Sequence, residues 1–252
     1  MKSLMCSSPL EQFEIVTLMP ISVAGLNLSV TNAALFLVLA SLAMLQIFYL
    51  SNRSRTIVPS RWQNVTEMSY EATSTIVQDN LGERGEKYFP FVFMTFMMLL
   101  SCNLLGIVPY SYTVTSQIAF TFALSLSAFV GINLIGIRKH GFHFMAIFLP
   151  KGAPTAILPL LVIIEFISYI IKVFTLAIRL FANMTAGHTL LKIIAGFALS
   201  MLSIGGFMSL FHVAPLVILL ALVGLELGIA VLQAYVFTLL VCIYLNDVID
   251  IH

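Results

Sequence analysis

The length of the apolar runs constrains this sequence more than any other feature. From Thr155 to Ser203 the chain is apolar and helix-like, with no proline after Pro159. Gly205-Gly206 follows, and then a second such stretch from Phe207 to about Asn246. At the standard helical rise, about 45 residues reach roughly 65 Å, about twice the hydrocarbon thickness of a bilayer. Each stretch is therefore two spans or one steeply tilted helix. Two spans need a turn in the middle, where the chain has Arg179 and Asn183 in one stretch and Gly224 to Gly228 in the other, with no Pro-Gly or Asn-Gly punctuation. The expectation is two long tilted helices over residues 155–250, forming a horizontal hairpin that turns at Gly205-Gly206.

The rest of the chain has the same solvent. Hydrophobic residues make up 60% and charged residues 9%, and the mean hydropathy is +1.04, far from the mix of a soluble domain. Leu28 to Leu50 is long enough for a first upright span and ends in Arg53 and Arg55. Residues 60–80 are polar, with Arg61, Trp62, Glu67, Tyr70, Glu71 and Ile76 interleaved, which suits an amphipathic surface helix or, equally, a solvated loop. Tyr88 to Val108 and Gln117 to Ile137 read as a transmembrane hairpin over 88–137, joined by an uncharged turn near Pro109, Tyr110 and Ser111. The fold expected is an all-α membrane protein, with residues 1–252 as one membrane domain. If the first three spans alternate, Arg53, Arg55, Arg61, Arg84, Lys87, Arg138, Lys139 and Lys151 all fall on one side, the matrix or cytoplasm by the positive-inside rule. The N-terminus then lies on the opposite side.

Several functions are set aside. A net charge of +1 with scattered Lys and Arg gives no basic stripe for nucleic acid. Cys6, Cys102 and Cys242 lie far apart without metal or redox spacing and read as small apolar residues. No Gly-rich phosphate loop, nucleophile elbow or metal-ligand run is present, so no bound nucleotide, metal or other cofactor is expected. Neither a cleavable secretory signal nor an Arg-rich transit peptide is evident, which hints at organellar or bacterial encoding.

What remains is a set of charged residues inside the long hairpin: Glu165, Lys172, Arg179, His188, Lys192 and Glu226, with Asp247 near the end. Charge within a bilayer costs roughly 2.5 to over 10 kcal/mol for an Arg at mid-depth, so such residues are functional candidates by default. In an antiparallel hairpin, residues at equal height have position numbers with a nearly constant sum. A turn at Gly205-Gly206 then sets Arg179 level with Gln233, Glu165 with Asp247, and His188 with Glu226. Two titratable clusters are separated by a guanidinium that does not exchange protons near pH 7, the arrangement of a proton pathway with a block in its middle. The bland readings are an internal structural pair for His188 with Glu226 and an interfacial cation for Lys172 or Lys192.

At these residues the sequence resembles subunit a of the F-type ATP synthases. The segment Arg179-Leu180-Phe181-Ala182-Asn183-Met184-Thr185-Ala186-Gly187-His188 is similar to that family's most diagnostic one, supported by Asn103 through Pro109 and Glu226 through Gln233. The resemblance runs over nearly the whole chain, from a Pro9-Leu10-Glu11-Gln12-Phe13 start like that of mitochondrial members. It implies a stator subunit, not an enzyme on its own, that works beside a ring of c subunits, peripheral-stalk subunits and the lipid bilayer. It also implies two offset half-channels that pass protons to and from the ring carboxylates.

The family's central Arg role carries over to Arg179, with Asn183 and Gln233 orienting it. His188 and Glu226 then belong to the entry side, Glu165 and Asp247 to the exit side, and Lys172 and Asn103 are further candidates for channel lining. The location implied is the mitochondrial inner membrane, or alternatively a bacterial inner membrane, with the N-terminus on the proton-rich side and the C-terminus on the matrix side. The rival readings are a self-contained proton-coupled transporter and a membrane scaffold. A transporter usually shows internal repeats, absent between the two halves here, and a scaffold has no use for Arg179 between two titratable clusters.

Overall fold

Helix order follows the apolar runs. The computed structural model describes residues 11–20, 22–23, 26–27, 29–53, 57–108, 111–141, 144, 158–204 and 212–249. Among them are six α-helices: α1 (Asn32–Arg53), α2 (Arg61–Leu81), α3 (Phe89–Ile107), α4 (Ile118–His140), α5 (Leu158–Ile204) and α6 (Val213–Ile249). All except α2 are long and apolar enough to cross a membrane. The chain is an all-α membrane protein. Cys6, Arg55, Pro109, Tyr110, Lys151 and the expected turn at Gly205-Gly206 lie outside the described residues.

The 47-residue α5 and the 37-residue α6 are each unbroken, so the long-helix reading holds over four short spans. Lys and Arg are sparse along them, and large apolar side chains such as Ile163, Ile167, Ile171, Phe174 and Ile178 are exposed. In water that surface is untenable; in lipid it is the expected exterior.

The polar run at 61–81 is a helix. Ser60 opens it, its hydroxyl accepting from the Gln63 N–H at 3.4 Å. Thr66, Ser69, Thr73, Ile76, Val77 and Leu81 are buried at the three- and four-residue spacing of one helix face. Trp62, Val65, Met68 and Tyr70 are exposed.

The segment before α1 contains short antiparallel ladders that the sequence reading did not foresee. Thr17–Met19 pairs with Val30–Thr31, and Ser22–Val23 with Leu26–Asn27. Asn32 fastens them to the start of α1: its side-chain oxygen accepts from the N–H groups of Val16 at 3.3 Å and Ala33 at 2.8 Å, and its amide donates to the Glu14 carbonyl at 3.1 Å.

Two compact units divide the chain. The first takes the described residues up to Ala43, Leu100–Gln117 and Leu180–Gln233; the second takes Met44–Leu99, Ile118–Arg179 and the chain from Ala234 onward. In the second, Tyr169, Val173, Leu176 and Ala177 of α5 and Ala234, Phe237, Thr238, Val241, Cys242 and Leu245 of α6 are buried at helical spacing. Small residues among them allow close backbone approach, the usual means of helix association where solvent is itself apolar. The basic end of α4 meets the last turn of α6: Lys139 Nζ donates to the Ile249 carbonyl at 2.9 Å, and His140 Nε2 lies 3.2 Å from it. Cations there satisfy a terminal carbonyl and oppose the negative end of the helix dipole.

Candidate functional site

In the first unit α5 and α6 bring together two side-chain pairs. His188 Nδ1 lies 3.3 Å from Glu226 Oε1, with side chains only 15% and 5% exposed. Asn183 Nδ2 donates to Gln233 Oε1 at 2.8 Å. The close approach of Glu226 depends on Gly187, where a Cβ would stand 2.9 Å from Glu226 Oε1. A glycine in mid-helix lowers helix stability by up to about 1 kcal/mol; here it leaves the space the carboxylate fills.

The loop between α3 and α4 completes the surroundings of His188. Thr113 Oγ1 lies 2.9 Å from His188 Nε2, so both ring nitrogens have a partner. Phe13, in the 3-10 turn Glu11–Phe13, sets its ring 6.4 Å from the imidazole, tilted by 60°. Gln117 Nε2 and the Tyr112 hydroxyl hold the Phe13 carbonyl at 2.7 and 3.4 Å. Burial raises the Tyr112 phenol pKa, with the Gln117 hydrogen bond pulling the other way. Asn103, fully buried on α3, donates through Nδ2 to the Ala230 carbonyl at 3.2 Å.

Five residues of this unit hold buried polar atoms with no hydrogen-bond partner among the described residues. They are Asn103 Oδ1, Thr115 Oγ1, Thr185 Oγ1, both Glu226 oxygens and Gln233 Nε2. Such atoms are rare in native interiors, and each calls for an explanation.

The second unit has a different arrangement. Lys172 Nζ is 3.6 Å from Asp247 Oδ2 and lies 5.1 Å from the Tyr244 ring centroid and 5.9 Å from that of Tyr169. Tyr169 in turn donates its hydroxyl to Asn133 Oδ1 at 2.7 Å. Arg179, half-buried, has no carboxylate within 4 Å of its guanidinium among the described residues. Glu165, also half-buried, has no ion-pair or hydrogen-bond partner among them.

Two residues of the level pairs expected from the sequence have other side-chain partners. Asp247 pairs with Lys172, about 10 Å further along α5 than Glu165, and Gln233 pairs with Asn183. Sequence reasoning missed Thr113, Phe13 and Gln117; the one signal was an uncharged but polar loop, Ser111 to Gln117, beside a hairpin of apolar spans.

Comparison with known proteins bears on this arrangement. A family model described as ATP synthase A chain matches residues 34–246. The chain is 65% identical to the ATP synthase subunit a of Chondrus crispus over 246 residues, covering 98% of this chain and 97% of that protein. It is 48% identical to the subunit a of Marchantia polymorpha, covering 98% and 100%. It is 44% identical to that of Pelagibacter ubique, again covering 98% and 100%.

Proposed function

The chain belongs to the ATP synthase A chain family, proton-translocating membrane subunits of a rotary complex, and on that premise we propose that its two long helices form offset half-channels that load and unload carboxylates on a ring of c subunits. The observation that carries the reading is the buried pair of His188, on the same unbroken helix as Arg179, with Glu226 of α6. Imidazole and carboxylate both exchange protons in the physiological range, whereas a guanidinium keeps its proton.

Protons enter past His188 and Glu226 and pass to a ring carboxylate. The protonated carboxylate travels with the ring and returns to Arg179, whose positive charge favours its ionised form, and the proton leaves past Glu165 and Asp247. The same fixed charge keeps a proton from crossing directly between the half-channels. Asn183, four residues along α5 from Arg179, and Gln233, to which it is hydrogen-bonded, are assigned the orienting of the guanidinium. The orphaned polar atoms of Asn103, Thr115, Thr185, Glu226 and Gln233 support a hydrated entry path, because water supplies partners that the protein does not. Lys172 lines the exit path through its contact with Asp247. No nucleotide binds to this chain; nucleotide chemistry belongs to partner subunits.

The membrane is the mitochondrial inner membrane, with the N-terminus on the proton-rich side and the C-terminus on the matrix side. Basic residues at helix ends support this orientation: Arg53 and Arg61 flank the connection between α1 and α2, Arg84 and Lys87 stand between α2 and α3, and Arg138 and Lys139 stand at the end of α4, all on one side if the spans alternate. Higher identity to the Chondrus crispus relative than to the Pelagibacter ubique one supports an organellar over a bacterial membrane.

Cysteines at Ile178 or Asn183, paired with cysteines along the mid-membrane face of the c subunit in native membranes, test the reading. Efficient cross-links that stop ATP-driven proton pumping are expected. Absence of cross-links, together with proton movement by the isolated chain, would overturn it in favour of an independent transporter.

A further inference from the structure

We propose that Thr113 is a positioning residue that fixes the tautomer of His188, so that the imidazole holds a hydrogen on Nε2 and exchanges protons with Glu226 only through Nδ1. The inference rests on the entry role given to His188 above.

The Thr113 hydroxyl has one hydrogen, and two groups within reach: His188 Nε2 at 2.9 Å and the Gly106 carbonyl at 3.2 Å. A carbonyl can only accept, whereas an imidazole nitrogen can do either. Ser111 also approaches the Gly106 carbonyl, at 3.0 Å, but its single hydrogen has the Leu105 and Val108 carbonyls closer, both at 2.6 Å. The Gly106 carbonyl is therefore left to Thr113. Once that hydrogen is committed, the hydroxyl presents lone pairs to His188, and Nε2 must be the donor. In the neutral ring Nδ1 is then bare and faces Glu226 Oε1 at 3.3 Å. A carboxyl proton on Glu226 can pass to Nδ1 and return, and at each stage one hydrogen lies between the two groups while Nε2 keeps its own.

The site is built for this. Thr113 is 4% exposed, and its backbone carbonyl is held by the Ser116 hydroxyl at 2.6 Å and the Ser116 N–H at 3.2 Å. On one side of the imidazole, Gly106 admits Thr113: a Cβ there would stand 2.6 Å from Thr113 Cγ2 and 3.0 Å from its hydroxyl. On the other side, Gly187 admits Glu226 in the same way. Each partner of the ring is thus seated against a position where only glycine leaves room. The Phe13 ring 6.4 Å away adds an apolar wall on which no competing donor is available.

The test uses the assembled ATP synthase complex in its membrane, with the amount of this chain per complex measured for each variant. Thr113→Val keeps shape and removes the hydroxyl. It is expected to lower ATP-driven proton pumping about tenfold, less than the 10²- to 10⁴-fold that a positioned acid–base group itself contributes. Thr113→Ser is expected to restore pumping to within about twofold, since the hydroxyl rather than the methyl does the work. Nitrogen-15 spectra of histidine-labelled complex, with the His188 signal assigned from its loss in His188→Asn, are expected to show hydrogen on Nε2 in the wild type and a mixture of tautomers in Thr113→Val. Normal pumping in Thr113→Val, or a Thr113→Ser variant as slow as Thr113→Val, or unchanged tautomers would overturn the inference. If His188→Ala also pumps normally, the entry role of His188 itself fails; if His188→Ala is inactive while Thr113→Val is normal, only the role of Thr113 fails.

Discussion

The two units hold their titratable side chains in opposite ways. In one, His188 and Glu226 are almost entirely enclosed, and the carboxylate has the imidazole contact but no hydrogen-bond partner among the described residues. In the other, Lys172 and Asp247 are 30% and 50% exposed, and the ammonium also lies over two tyrosine rings. The first pair consists of groups that share a proton easily. The second joins a carboxylate to an ammonium group. On the proposed reading, the first is an entry point whose two groups hand a proton between them, and the second is an exit carboxylate held beside a fixed charge. The difference predicts which substitutions matter. Losing a proton carrier removes a step, whereas losing a half-exposed counter-ion only loosens one.

The largest effect is expected at Arg179, whose guanidinium has no carboxylate of this chain within 4 Å among the described residues. Arg179→Ala is expected to lower coupled ATP synthesis on the order of 10²-fold or more, measured in membrane vesicles with a normal complement of the complex. A normal rate would remove the reason for treating the charge as functional. Next comes Glu226→Gln, which preserves volume and removes the proton-exchanging oxygen. Pumping is expected to fall roughly 10²-fold, the low end for an acid–base group, while Glu226→Asp retains a measurable part. Equal activity for Gln and Glu would show that the buried pair is only structural.

A smaller loss is expected from Gly187→Ala. The added methyl would stand 2.9 Å from Glu226 Oε1, so the carboxylate must give way by a few tenths of an ångström and its contact with His188 lengthens. A tenfold decrease in pumping is a reasonable scale for displaced geometry, on the order of 1.4 kcal/mol. Helix propensity acts in the opposite direction, favouring alanine by up to about 1 kcal/mol. A thermal melt of the purified complex that rises while pumping falls would separate the two effects.

How much of this was legible in the sequence depends on the range over which each feature is encoded. The spans were readable because a run such as Leu158–Ile204 repeats the same apolar message for 47 residues. Arg179, His188 and Glu226 stood out because charge in such a run is costly. The helical face of α2 was not separable from a loop, since its buried side is built from Thr66, Ser69 and Thr73 as much as from Ile76 and Val77. Thr113 was invisible: a threonine in a polar loop is ordinary, and only the fold brings it to a histidine 75 positions away. The contacts of Asp247 with Lys172 and of Gln233 with Asn183 were not legible either, because which side chains meet across two helices depends on packing that spacing along the chain does not encode.

The smallest effect, and the one that most sharpens the contrast, is expected at Lys172. Lys172→Met keeps most of the stem that packs near Tyr169 and Tyr244 and removes the charge 3.6 Å from Asp247. An ion pair this exposed contributes about 0 to 1 kcal/mol, so pumping should change by no more than about fivefold. The loss should also shrink as salt is added, because added ions screen the wild-type pair while the methionine variant has none to screen. Asp247→Asn, by contrast, removes a carboxylate from the proposed exit path and should cost more than Lys172→Met at every salt concentration. If Lys172→Met proved as damaging as Glu226→Gln, the lysine would be an essential part of the exit path and not a counter-ion that only holds Asp247 in position. The distinction drawn between the two units would then collapse.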